Sequence, residues 1–190
     1  MSSPMENSAE SLPEIAIAKP RSNEYHEFYE TYVGLVTAES LNEMLAEQPT
    51  QLRNLLGQLD ADEVNCLHEP YTWTLKQVMG HLIDCERVFS DRMLRIAVGD
   101  QTPIPGIDQQ MFVRGIDYDR LSMADLLDEF EHLRSANQLA VRRLTPNDLV
   151  RFGVASDNPV TSRANLYMLV GHVEHHFRIM QKRLGITLAQ

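Results

Sequence analysis

The chain has 190 residues, 43% hydrophobic and 23% charged, with 17 Lys and Arg against 27 Asp and Glu for a formal charge of −10. That length suits one domain with a real hydrophobic core, and the balance argues against wholesale disorder. The acid surplus excludes affinity built on neutralising nucleic-acid phosphates or anionic membranes, and two cysteines, Cys66 and Cys85, are too few for a disulfide-scaffolded module.

Residues 1–22 read as a flexible polar leader, without the basic start and apolar run of a secretory signal, and residues 23–190 as the folded domain. Tyr25, Phe28, Tyr29, Tyr32 and Val33 follow at spacings of one, three and four, which predicts a short helical or irregular segment that packs its aromatics on the main body. Ser40 with Glu43 resembles a capping box ahead of Leu41, Leu45, Leu52, Leu55 and Leu59, a first long helix that Pro49 should kink or split. Thr74 with Gln77 opens a second helix that runs to about Ala97, where Gly99 stops it. The turn-rich loop Thr102-Pro103-Ile104-Pro105-Gly106 and a short helix candidate near Gln109 to Arg114 lead to a third long helix. Ser122 and Asp125 cap that helix, which carries Leu126, Phe130, Leu133, Ala140 and Leu144, with Pro146 just beyond its end. Val150 to Asn158 is strand-like but too short to carry a sheet, and Thr161 or Ser162 caps a fourth helix that continues to Gly185. No apolar run approaches the ~20 residues of a membrane span. Four long amphipathic helices predict an all-α protein, a four-helix bundle with an N-terminal extension.

With ~100° per residue, each side chain can be set against its helix's apolar stripe. The fourth helix has Leu166, Leu169, Val170, Val173, Phe177, Met180 and Leu184 on that stripe. His176 falls ~70° from its centre, His172 ~110°, and His175 almost opposite, which points His175 to water. His172 and His176 form an i, i+4 pair, a spacing at which two imidazoles can share one ion. On the second helix His81 sits on one shoulder of the stripe, followed at roughly one-turn intervals by Cys85, Val88 and Arg92, while Glu86 falls in the middle of the apolar face. Taken alone, His81 also fits a satisfied boundary histidine. Glu86 fits either a carboxylate that orients a metal-bound imidazole or one that holds an Arg of a neighbouring helix. His26, His68 and His132 have no partner at useful spacing and read as solvated, and both cysteines read as buried free thiols.

The run from Trp73 to Arg87 (Trp73-Thr74-Leu75-Lys76-Gln77-Val78-Met79-Gly80-His81-Leu82-Ile83-Asp84-Cys85-Glu86-Arg87), with Pro105-Gly106-Ile107-Asp108 and Gly171-His172-Val173-Glu174-His175-His176, resembles the DinB-like (DinB/YfiT) superfamily. The resemblance extends from about Glu24 to the end of the fourth helix. It implies a four-helix bundle of the DinB/YfiT type holding one divalent ion on three histidines, which by motif are His81, His172 and His176. Members that resemble this chain usually have Gly-Lys ahead of the Trp, where this one has Tyr71-Thr72, a change at the helix start and pocket rim rather than at the ligands.

The superfamily includes thiol-dependent transferases and isomerases that use bacillithiol or mycothiol, and metal-dependent hydrolases. A three-histidine site leaves one coordination position open, the pattern of a catalytic rather than a structural ion, and it accepts zinc, nickel or iron by availability. The expectation is therefore a cytoplasmic metal-dependent transferase or hydrolase acting on a small molecule, with a low-molecular-weight thiol as a candidate cosubstrate. Glu86 is the candidate supporting group behind the ligands, and Arg92, Asp108 and Phe112 are candidates for the substrate side. The resemblance also makes a homodimer plausible. The alternative is a non-catalytic stress-response or binding module in which Cys85, one turn from His81, supplies a fourth ligand and closes the site.

Overall fold

A computed structural model describes residues 16–186. In chain order its helices are α1 (Glu30–Val33), α2 (Leu41–Leu56), α3 (Ala61–Asn65), α4 (Leu75–Ala97), α5 (Gln109–Gly115), α6 (Met123–Val141), α7 (Pro146–Leu149) and α8 (Ser162–Arg183). Between α7 and α8 the strands β1 (Phe152–Ala155) and β2 (Asn158–Thr161) form one antiparallel hairpin, with Phe152 opposite Thr161 and Ala155 opposite Asn158. The architecture is the expected helical bundle. The helix α4 packs on α6 and α8, and α2 packs on the same two. The order around the bundle is thus α2, α6, α4, α8, so that α2 and α4 lie diagonally, as do α6 and α8. None of the described helices is long and apolar enough to cross a membrane.

Caps set most of the boundaries. Thr74 accepts from the Gln77 amide while Gln77 returns a bond to the Thr74 amide, and Ser122 with Asp125 does the same for α6. Thr161, rather than Ser162, caps α8 by accepting from the Ala164 amide. The Ser40–Glu43 box does not form: Ser40 has helical backbone angles, and its hydroxyl bonds back to Thr37 across the preceding turn.

Pro49 neither splits nor ends α2, which runs unbroken through it. A proline removes the N–H that would reach the carbonyl four residues back, here Leu45. The Gln138 side-chain amide of α6 donates to that carbonyl at 2.9 Å, so the acceptor that Pro49 leaves vacant is satisfied from outside the helix. The strand-like stretch forms the short hairpin, turned by Ser156 and Asp157, whose φ values of 51° and 62° place both in the left-handed region. The third long helix stops at Val141, short of Leu144, and Pro146 starts α7 as its first residue.

Of the leader expected over 1–22, residues 1–15 lie outside the described residues. The remainder is docked: Ile17 is buried, its carbonyl accepts from the Tyr167 hydroxyl at 2.9 Å, and Pro20 is buried too. Just beyond, Glu24 accepts from Arg163 and from Thr161 at the start of α8. Burial pushes the Glu24 carboxyl up, but these bonds and the Arg21 amide outweigh it and hold it below the usual carboxylate range. The chain ahead of α1 is thereby pinned beside α8.

The core has two adjoining parts. One gathers the N-terminal segment, the hairpin, the later half of α4 and the first half of α8 around Met93, Ile96, Tyr167 and Leu169. The other joins α2, α3, α4 and α6 around Leu52, Leu82, Leu126 and Phe130. The histidines lie where the two parts meet.

Candidate metal centre

His81 projects from the first third of α4, and His172 and His176 from successive turns of α8. Each helix carries a glycine just ahead of its first histidine, and both admit a neighbour that no larger residue would. A Cβ on Gly171 would lie 2.1 Å from the Tyr32 carbonyl oxygen, and one on Gly80 2.1 Å from the Tyr118 ring. The chain around Tyr32 therefore lies directly on α8. Tyr118 seats on α4 and donates its hydroxyl to Asp84 at 2.6 Å.

The three imidazoles converge. Their ring centroids are 4.6–5.0 Å apart, and one ring nitrogen from each lies within 4.8 Å of the other two. The His81 and His172 Nε2 atoms stand 3.0 Å apart. Two nitrogens on one tetrahedral zinc at ~2.0–2.1 Å are separated by about 3.3 Å, so the donor set fits such an ion with small adjustments.

His81 and His172 are 2% and 3% exposed, and aromatic rings wall them: Trp73 beside His81, and Tyr32 and Phe89 beside His172. Burial lowers His81 to about 4 and His176 to about 3, and takes His172 well below the ordinary histidine value, with its neighbouring imidazoles adding to the effect. At neutral pH all three are uncharged, with lone pairs available for a cation. His175 is half-buried rather than solvated, and its ring lies against Tyr32 and His176. His68 is also half-buried, within 3.3 Å of Arg183, whereas His26 and His132 are exposed as expected.

The buried Cys85 Sγ sits 3.6 Å from His81 Nδ1 and 3.8 Å from its Nε2. Burial pushes its thiol up to about 12, so without a metal it is protonated, and its sulfur is not among the three converging donors. Cys66 is exposed, contrary to the buried thiol expected.

Glu86 turns away from the histidines to hold an arginine. Arg134 Nε and Nη2 donate to its two oxygens at 2.8 and 2.9 Å, with both side chains 1% exposed, and Asn137 donates to it at 2.8 Å. Arg134 Nη1 donates to Gln48, Gln48 donates to the Val170 carbonyl, and Ser90 donates to Asn137. This network joins all four long helices just below the metal centre, and no link in it reaches an imidazole.

A cleft of about 370 Å³ opens over His172, lined also by Tyr29, Tyr32, Cys85, Phe89 and Arg92. Arg92 and Asp108, expected on the substrate side, both face it, and Phe112 does not, being half-buried elsewhere on α5. The Asp108 carboxylate caps α5 by accepting from the Gln110 and Met111 amides.

Sequence reading missed Ser156, brought to the cleft by the hairpin turn, and the partners of Glu86. For the latter a signal was present: Arg134 and Asn137 lie four and seven residues beyond Phe130, on the buried stripe of α6.

No curated relative matches the chain in sequence. Among solved structures it is similar to YfiT from Bacillus subtilis, described as a probable metal-dependent hydrolase with an unusual four-helix bundle topology. The two share 19% identity at a TM-score of 0.71, over 89% of this chain and 94% of that one. That likeness concerns the fold, and the diagonal succession of α2 and α4 is in keeping with it. The sequence pattern of the DinB superfamily matches residues 44–180, a span that takes in all three histidines, and the chain belongs to that superfamily.

Proposed function

We propose that this protein is a metal-dependent enzyme that hydrolyses a small organic substrate, with His81, His172 and His176 as the ligands of one divalent ion. The observation that carries this reading is the convergence of three neutral imidazoles, one of which, His172, lines an open cleft. A bound divalent ion supplies Lewis-acid activation of a water or thiol at that point.

The chain's own residues do the rest. The aromatic rings of Trp73, Tyr32 and Phe89 fix the imidazole planes and keep bulk water from behind the ligands. Glu86 and Arg134 hold α4, α6, α2 and α8 in register, which fixes the distance between His81 and the α8 pair. The substrate enters between α4 and the Tyr29–Tyr32 segment, past Asp108 and Arg92.

The similarity to YfiT favours hydrolysis over thiol transfer. A closed structural site is disfavoured because the donors that converge are the three imidazoles, without the Cys85 sulfur, and the cleft reaches His172. The test combines elemental analysis of the purified protein with turnover of a panel of small esters and amides, run with and without bacillithiol, mycothiol or glutathione. The expected result is one equivalent of metal and metal-dependent hydrolysis that needs no thiol, lost in His172→Ala. Turnover that requires a thiol would reassign the protein as a transferase, and absence of metal would overturn the reading altogether.

A further inference from the structure

Arg92 is 4% exposed, yet no carboxylate among the described residues pairs with it. The other deeply buried arginine, Arg134, has Glu86, and the partly buried Arg163 has Glu24. Arg92 has only neutral partners: Nη2 donates to the Pro105 carbonyl at 3.1 Å and to the Ser156 hydroxyl at 2.9 Å. Its Nε is buried without a partner among the described residues, and Nη1 makes no hydrogen bond to them. A buried guanidinium is costly unless an anion compensates it.

The fold takes trouble to keep it there. Ile104 bridges to Ala155, its amide donating to the Val154 carbonyl while its own carbonyl accepts from Ser156. This stitches the Pro105 loop to the hairpin and brings both neutral partners to one side of Arg92. The guanidinium lines the same cleft that opens over His172.

We propose that Arg92 is the anion-recognition residue of this cleft and that the molecule bound there carries a carboxylate. The inference rests on the cleft being the substrate passage to the metal centre. A monoanion suits the site better than a phosphate dianion, because Arg92 is the one cation among the cleft residues and Asp108 already faces the same space. The amides at the start of α5 give a second negative group no further help, since the Asp108 side chain occupies them. The aromatic walls of Phe28, Tyr29 and Phe89 suit a flat apolar body attached to that carboxylate.

The experiment compares benzoate with benzamide, near-isosteres that differ in charge, by calorimetry on the full chain in metal-loaded and chelator-treated forms. The expected result is a preference for benzoate of about tenfold in both forms, a magnitude suited to one charge-assisted contact. Arg92→Gln should abolish the preference, and Arg92→Lys, which keeps the charge, should retain part of it. Should Arg92→Gln fail to fold, the Arg92 Nε–H resonance of ¹⁵N-labelled wild type reports directly, and it should shift with benzoate and not with benzamide. Equal binding of the two probes, a preference that survives in folded Arg92→Gln, an unmoved Arg92 resonance, or a preference seen only with metal present would each overturn the proposal. A protein that bound no metal but still preferred benzoate through Arg92 would refute the hydrolase reading and leave Arg92 as the carboxylate-binding residue of the cleft.

Discussion

Replacing Arg134 by methionine should destabilise the fold by about 3–5 kcal/mol, because it leaves the Glu86 carboxylate buried with Asn137 as its sole remaining partner. Two charge-assisted bonds vanish, and Gln48 loses the donor to its side-chain oxygen. With a domain's total stability at about 5–15 kcal/mol, one substitution removes a large share of it. Glu86→Leu should cost a similar amount, since it strands the guanidinium instead. The double variant Glu86→Leu/Arg134→Met leaves no buried charge at this position. Its remaining cost is the unmet bonding of Asn137 and Gln48, about 1–3 kcal/mol for each group. At the middle of these ranges the double variant lies about 4 kcal/mol above the sum of the singles. Urea unfolding followed by far-ultraviolet circular dichroism, at one pH and with metal removed, measures all four corners of the cycle. If Glu86→Leu does not fold, Glu86→Gln, which keeps the shape and one acceptor, replaces it both alone and in the double variant. Additivity within about 0.5 kcal/mol would refute the reasoning, because it would mean that the pair is not coupled in the folded protein.

His172→Ala should release the bound metal while leaving the helical circular dichroism intact, and elemental analysis showing a full equivalent retained would sink the ligand assignment. The metal-free protein should weaken as pH falls from about 6.5 towards 4. The folded His81 and His176 lie at about 4 and about 3, below the ordinary 6.5, so the stability they contribute is present above 6.5 and lost on acidification through that window. At pH 5 one imidazole depressed to about 4 accounts for about 2 kcal/mol, read as a falling urea midpoint, and a midpoint unchanged between pH 7 and pH 5 would contradict it. Gly171→Ala forces a Cβ against the Tyr32 backbone and should lower stability by about 1–3 kcal/mol or more, seen as a reduced melting temperature. Phe112→Ala should leave metal content and turnover unchanged, because its ring lies outside the cleft.

The parts legible in the sequence were those written in local chemistry. Two capping boxes, one capping threonine and one helical period located α4, α6 and α8 to within a few residues, because side-chain bonds to adjacent backbone depend on nothing distant. The same period placed His172 and His176 together, and the motif resemblance added His81. What eluded the sequence depends on partners far along the chain. Pro49 was expected to kink or split α2, and the group that fills the acceptor it vacates, Gln138, lies on another helix. Glu86 was seen to be buried, but its choice between imidazole and arginine is decided by Arg134, 48 residues away. The Ser40 box failed because Thr37 competes for the same hydroxyl. Phe112 shares a helix with the cleft-lining Gln109 and Gln110, but it falls on another side, which a seven-residue helix leaves undetermined without its neighbours.

The diagonal succession of helices has a consequence for how such a protein can change its ligand. Where consecutive helices sit across the bundle from one another, the chain must travel over its end, and those crossings need length. Here the crossing from α6 to α8 carries the hairpin with Ser156, and the long chain between the neighbours α4 and α6 carries Ile107 and Asp108. Both reach the cleft, whereas the histidines sit on the rods beneath. Coordination and selection thus reside in physically separate parts: a rigid base on α4 and α8, and a roof assembled from connections that tolerate altered length and composition. Exchanging the roof between proteins of this architecture should redirect which molecule is held while the three imidazoles keep their spacing.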